Sequence, residues 1–419
     1  MFLQILLLVS STYGQSSQKN VCLNLADYAF SQLSTNCWHN PDVGSTPVSV
    51  LIEFQVKNNI FQSEIIKRHG FPFESHQVIT EDGYKLGLFR IKNSGRPVFL
   101  QHGIACTCLS FLSIGNNSLA FKLHNAGYDV WLGNFRGTIY SNKHNNSKIS
   151  EENYWDFSFY EMGIYDVTAM IEFVSKTVEN KQKIIYIGHS MGTTASFVYA
   201  ITRKNHSERN LDALISLAPV VYLKHAYFPI SNFVSLAQPI QAIASFFHIH
   251  NLGMSNAEKV TSRFNTCLNS FQKLRCEIMT EIMMALNLDS LPAESIPMFM
   301  TQAPAGTSMK TIQHYSQEIK TGQFQLFDYG TLNQGKYGSE NPPILDPAQV
   351  QIPVYLLYGN KDAIGDEMDV FELFRRLMTK KIIKKIPESD ETNFKHLDFL
   401  YGRDINYLYK PLFEIINAV

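Results

Sequence analysis

The chain has 419 residues, of which 45% are apolar and 17% charged, and its formal net charge is −1. That length and apolar fraction suit an enzyme-sized packed body and exclude a disordered or fibrous protein. The near-neutral balance excludes a nucleic-acid binder held by bulk charge, because even the basic cluster Lys380–Lys385 is interrupted by Ile382 and Ile383.

Residues 1–14 carry an apolar stretch, Phe2 to Val9, followed by small and polar residues with Thr12 and Gly14 suitably placed before a cut. This is the pattern of a secretory signal peptide. It is too short to cross a bilayer, and no other window offers about 20 uninterrupted apolar residues, so no integral membrane segment is expected. Residues 15–75 form a mixed N-terminal segment, with a Pro/Ser/Val loop over Pro41–Val50.

From residue 76 to 220 short β-branched or aromatic runs alternate with longer amphipathic stretches. Strands are predicted at His76–Thr80, Tyr84–Ile91, Val98–His102, Asp129–Gly133, Lys183–Gly188 and Ala213–Ala218. The intervening helices are predicted at Ser118–Ala126, Glu161–Lys176 and Thr193–Lys204. The first two strands flank the turn Glu81–Tyr84 and read as an antiparallel hairpin. Residues 221–350 break the alternation: His225–Ala257 holds no Asp, Glu, Lys or Arg and carries Pro229 and Pro239. By composition such a segment suits a buried pair of core helices as well as an insertion that covers an apolar site or meets lipid; its place after a core strand favours the insertion. Over residues 351–419 the pattern resumes, with strands at Val354–Gly359 and Ile382–Ile386 and helices at Met368–Met378 and Ile405–Ala418. The fold class expected is α/β, a mostly parallel central sheet flanked by helices, with an inserted, largely helical cap.

Gly188-His189-Ser190-Met191-Gly192 follows one predicted strand and precedes a helical run. That is the strand–turn–helix setting of a nucleophile elbow, in which serine projects above the sheet on a tight turn. A serine hydroxyl needs a base. In this chain order the base comes late, and His396 in FKHLDF fits it. The acid that orients the imidazole is expected at Asp362, at the end of VYLLYGNKD, with Asp366 and Asp398 as competitors. Backbone N–H groups of Met191, after the nucleophile, and of Ile104, in HGIA, are the expected oxyanion donors.

Sequons stand at Asn116, Asn145 and Asn205, fitting a glycosylated secreted protein. The six cysteines allow many connectivities; the local pairings Cys22–Cys37 and Cys267–Cys276 are favoured, while Cys106 and Cys108 are spaced too closely for an easy bridge. No CxxC pair or HExxH occurs, and no metal site is expected.

The segments VFLQHGI, NNSLAFKLHNAGYDVWLGNFRG, YWDFSFYEMGIYDV, IGHSMGTT, LAPV, APAGTS, LLYGNKD and KHLDF, in this order, resemble the acid lipase family, which includes gastric and lysosomal acid lipases. The resemblance runs from about residue 40 to the C-terminus. It implies an α/β-hydrolase core with a cap inserted after LAPV, and hydrolysis of triacylglycerols or cholesteryl esters at an oil–water or membrane interface without a cofactor. Carried over, the family's nucleophile falls on Ser190, its acid on Asp362, its base on His396, its oxyanion donors on Ile104 and Met191, and its cap disulfide on Cys267 and Cys276. The sequence departs from the family in having Met191 where many members have Gln, cysteines at 106 and 108, and an insertion over Gly44–Asn59. The expectation is a secreted lipase, with the lysosome as the other destination. A soluble carboxylesterase and a non-catalytic lipid-binding protein on the same scaffold are the alternatives.

Overall fold

The computed structural model describes residues 61–179, 181–227, 249–252, 304–390, 392–402 and 404–419. A nine-stranded sheet runs through this body. Its strands are β1 (Glu74–Ile79), β2 (Tyr84–Ile91), β3 (Pro97–Gln101), β4 (Asp129–Gly133), the two-residue β5 (Lys143–His144), β6 (Ile184–His189), β7 (Leu211–Leu217), β10 (Val354–Gly359) and β11 (Lys381–Ile386). The short β8 (Asn251–Leu252) and β9 (Thr307–Ser308) pair separately. The sheet order is β1-β2-β4-β3-β6-β7-β10-β11, with β5 beside β2. β1 and β2 are antiparallel, as is β2 against β4; every pairing from β4 through β11 is parallel.

The composition of the strands explains their places. PVFLQ, DVWLG, IIYIGH and VYLLYG are buried at every position, as parallel strands covered on both faces must be. The terminal strands β1 and β11 are half-buried or exposed along most of their length. One face packs Val98, Leu100, Ile185 and Ile187 against α1 (Phe61–Arg68), α2 (Leu119–Asn125) and α7 (Asn406–Ala418). The other packs Phe99, Trp131, Tyr186 and Leu356 against α3 (Thr168–Thr177), α4 (Met191–Thr202) and α6 (Glu367–Arg376).

The predicted strands stand within about two residues of their expected ends. The helix expected over Glu161–Lys176 is divided. Ser158 and Glu161 form a capping box, a π turn spans Met162–Val167, and the α-helix proper is Thr168–Thr177. The π turn carries Asp166, which accepts from the main-chain N and Nε of the buried Arg136 at 3.0 and 2.8 Å. Arg136 in turn grips Asp82 in the β1–β2 turn. A buried guanidinium needs such partners, and the π turn is where the helix supplies one of them.

After β9, helix α5 (Met309–Thr321) lays Tyr315 and Glu318 against the body. Tyr315 Oη lies 2.8 Å from Thr194 Oγ1 on α4. Glu318 is 1% exposed, and neither carboxyl oxygen makes a well-formed hydrogen bond among the described residues. Burial pushes its carboxyl well above the usual range, and the main-chain N–H of Gln325 only partly offsets this. A raised folded-state value means that the folded form holds this proton more tightly than the unfolded chain. The contribution to stability is complete below about pH 4.3 and is lost as pH rises towards the folded value. Glu318→Gln, which stays neutral, is expected to match the parent at pH 4 and to exceed it in Tm at pH 8. The gap should grow by roughly 1 kcal/mol per pH unit until the folded value is passed. Thermal melts across that range check it, and a gap independent of pH would count against it.

Candidate active site

β6 ends at His189 and α4 begins at Met191, leaving Ser190 alone in the turn with φ 54° and ψ −122°. A positive φ at a residue with a side chain costs on the order of 1–3 kcal/mol and persists only where the surroundings enforce it. They do so here: Ser190 N–H donates to Leu217 O at 3.1 Å and Ser190 O accepts from Thr193 N–H at 2.8 Å. Both motif glycines are obligatory. A Cβ on Gly188 would lie 2.7 Å from the Gly192 carbonyl, and one on Gly192 2.4 Å from Gln101 O.

His396 follows β11, and its Nε2 lies 2.8 Å from Ser190 Oγ. Its Nδ1 lies 2.9 and 3.0 Å from the two carboxyl oxygens of Asp362, just beyond β10. A carboxylate can only accept, so Nδ1 carries the proton and Nε2 presents its lone pair to the serine hydroxyl. Asp362 is 3% exposed and accepts further hydrogen bonds from Ile364 N–H at 2.8 Å and Gly365 N–H at 2.9 Å. Burial alone would raise its carboxyl, but the His396 ring and these N–H groups outweigh it and hold the group below the usual carboxylate range. The competing carboxylates are occupied elsewhere: Asp366 caps α6 through Met368 N–H, and Asp398 accepts from Lys395 N–H. Serine, imidazole and carboxylate therefore meet at the carboxyl edge of the sheet, where α/β proteins place their sites.

The loop after β3 closes over the serine. The missing Cβ of Gly103 would lie 3.0 Å from Ser190 Cβ and 3.4 Å from its Oγ. His102 secures this loop. Its Nε2 accepts from Phe135 N–H at 3.1 Å, so its Nδ1 donates to Gly103 O at 2.8 Å. Burial pushes the His102 imidazole down to about 4, which keeps it neutral. Ile104 follows, half-buried against the Phe99 layer, and Ala105 O accepts from Ala305 N–H at 2.7 Å. Met191 is buried at the first position of α4, where a helical N–H finds no partner inside its own helix. Burial pushes the Cys106 thiol up to about 11, so it stays protonated and a poor nucleophile.

Asn116, Asn145 and Asn205 are all exposed. Cys22, Cys37, Cys267 and Cys276, the segment 1–14 and much of 221–350 lie outside the described residues. Among the described residues no helix is long and apolar enough to cross a membrane. Sequence reasoning passed over His102 and His189, although each adjoins a motif, HG of HGIA and HS of GHSMG.

Residues 96–396 match the family described as alpha/beta hydrolase fold, and residues 62–115 the partial alpha/beta-hydrolase lipase region. Human lipase member K is 31% identical over 362 residues, covering 83% of this chain and 88% of that protein. Human gastric triacylglycerol lipase is 34% identical over 358 residues, covering 82% and 87%. The chain belongs to the acid lipase family. Human lysosomal acid lipase/cholesteryl ester hydrolase is a further relative, 31% identical over 375 residues, covering 86% of this chain and 92% of that protein. Among solved structures, a soluble variant of monoglyceride lipase from Saccharomyces cerevisiae superposes with a TM-score of 0.50 at 16% identity, over 83% of this chain and 94% of the other, and shares the fold. As an acid lipase family member, the protein is a carboxylic ester hydrolase.

Proposed function

We propose that this hydrolase cleaves lipid esters, triacylglycerols or cholesteryl esters, through a Ser190–His396–Asp362 triad and an acyl-enzyme. The observation that carries the reading is the unbroken chain from Ser190 Oγ through His396 to Asp362 at 2.8 and 2.9 Å. His396 Nε2 takes the hydroxyl proton as Ser190 Oγ attacks the ester carbonyl, and Asp362 stabilises the imidazolium that forms. The N–H groups of Ile104 and Met191 receive the tetrahedral oxyanion. His396 then returns the proton to the departing alcohol. Water attacks the acyl-enzyme by the same route and releases the acid. No metal or organic cofactor enters these steps.

The lipid part of the reading draws on the relatives' names and on the chain's own composition. The uncharged stretch His225–Ala257 suits an apolar acyl chain, and residues 221–350 are assigned as a cap between core segments 76–220 and 351–419. The signal-like segment 1–14 and the three exposed sequons fit a protein of the secretory route, secreted or alternatively lysosomal, with Cys267–Cys276 bridged in the cap. Triolein, cholesteryl oleate, a phospholipid and a dissolved short ester, each assayed at acidic and neutral pH, test the substrate class. Turnover should rise once triolein or cholesteryl oleate exceeds its solubility limit. Activity confined to the dissolved short ester would make the protein a soluble carboxylesterase. A fluorophosphonate probe should label Ser190, and a folded protein that resists it would be a lipid binder.

A further inference from the structure

We propose that His189 is a positioning residue for the reaction: its ring holds the main chain of His396 and so fixes the distance between base and nucleophile. The inference rests on the triad reading above. His396 lies in the irregular segment between β11 and the short helix Asp398–Tyr401. Asp362 and Ser190 orient its ring, but orienting a ring does not place the backbone that bears it. That backbone receives a hydrogen bond from inside the sheet: His189 Nε2 lies 2.9 Å from His396 O. A carbonyl only accepts, so Nε2 carries the proton and His189 is the donor.

His189 is the last residue of β6 and the chain neighbour of Ser190. A closed circuit results. Ser190 Oγ meets His396 Nε2, His396 O meets His189 Nε2, and one peptide bond joins His189 to Ser190. The separation of nucleophile and base is thereby referred directly to β6, whereas the other ties of this segment, Phe394 N–H to Asn360 Oδ1 at 2.8 Å and Lys361 N–H to Phe394 O at 3.1 Å, hold it to the end of β10. Tolerances at this point are small, since misplacement by about 1 Å can cost roughly 10²-fold in rate.

Two further observations fit this use. His189 is 2% exposed, and its Nδ1 has no hydrogen-bond partner among the described residues. The space beside Nδ1 is closed by Gly103, whose missing Cβ would lie 3.4 Å away. A side chain selected only to fill that space would not bury a bare nitrogen, so the donor on the opposite edge of the ring accounts for it. The ring also sits 5.0 Å, centroid to centroid, from His396. Burial, and then the charge His396 takes up, push the His189 imidazole down to about 3. His189 therefore stays neutral in acid and does not compete with His396 for the serine proton.

The test compares His189→Gln, whose amide N–H can reach the His396 carbonyl, with His189→Met, which has similar length and no donor. For Met, kcat on a soluble p-nitrophenyl ester should fall about 10²-fold with KM little changed. Labelling by a fluorophosphonate should slow in proportion, and Gln should restore most of both. Wild-type kcat in His189→Met, or equal losses in two variants with parental Tm, would overturn the proposal. Should the Met variant not fold, ¹⁵N spectra of the histidine rings in the parent protein decide. A neutral ring protonated at Nε2 down to about pH 4.5 supports the proposal, and a proton on Nδ1 overturns it. Ser190→Ala separates the two levels of inference. Activity surviving in Ser190→Ala sinks the triad and this proposal together. An inactive Ser190→Ala beside a fully active His189→Met removes only the role of His189.

Discussion

Ser190→Ala is expected to lower kcat on any ester substrate by roughly 10⁴–10⁶-fold, with the oxyanion donors and substrate binding left to supply the remainder. KM should change little, because the hydroxyl contributes bonding chiefly on the way to the transition state. The fold should tolerate the change. The strained φ of 54° is imposed by the glycines on either side and by the contacts of the Ser190 main chain to Leu217 and Thr193. Alanine there meets the same backbone restraints as serine. Steady-state kinetics on a p-nitrophenyl ester together with a thermal melt check both halves. A folded Ala variant retaining more than about 1% of the parental kcat would mean that another nucleophile operates.

Asp362→Asn is expected to cost about 10⁴-fold in kcat by a different route. Asp362 Oδ1 accepts from Ile364 and Gly365 N–H, and an asparagine keeps those bonds only by leaving its carbonyl oxygen in that place. Its NH₂ then faces His396 Nδ1. Two donors cannot face one another, so the imidazole moves its proton to Nε2 and presents N–H to Ser190. The base has lost its lone pair while every heavy atom stays in position. Single-turnover acylation should show the loss in the first chemical step, and crystals of the variant should show the triad distances preserved. Nearly parental acylation would assign the orienting role elsewhere. The aspartate also bears on pH. Its carboxyl is held below the usual range, so it stays ionised under acid conditions that would protonate an ordinary carboxylate. Its contribution to stability is present above the ordinary carboxylate pKa and is lost as pH falls through the depressed value. Glu318 runs the opposite way.

The parallel core was legible because burial on both faces forces near-continuous apolar runs. LLYG and IIYIG can be little else once bounded by turn residues, and their spacing leaves room for crossover helices. The elbow was legible for the same kind of reason, since close packing of Gly188 and Gly192 leaves a fixed imprint on the sequence. Asp362 could be ranked above Asp366 and Asp398 from its place at a strand end, but the decision required the partners each carboxylate finds. Asp366 turned out to cap a helix, a local role that sequence position alone does not distinguish. The π turn at Met162–Val167 left no periodic trace; the Asp166 it carries finds its partner in Arg136, which lies distant in the chain. His189 was invisible as a functional residue. Its partner is a carbonyl 207 positions away, and carbonyls carry no sequence identity.

The order in which the strands enter the sheet also bears on how the protein is made. Ser190 and His396 are separated by 206 positions, and Asp362 and His396, the proposed acid and base, follow β10 and β11, the last strands of the sheet, of which β10 pairs with β7 and β11 with β10. At about 5–20 residues per second, on the order of 10–40 s of synthesis separates the emergence of the two groups. During that interval a nascent chain holds the serine without its proposed base, even once Leu217 has followed and can close the elbow. On the proposed triad, esterolytic power arrives with the closing of the C-terminal edge, and a polypeptide that stalls short of residue 396 is expected to lack triad-driven turnover.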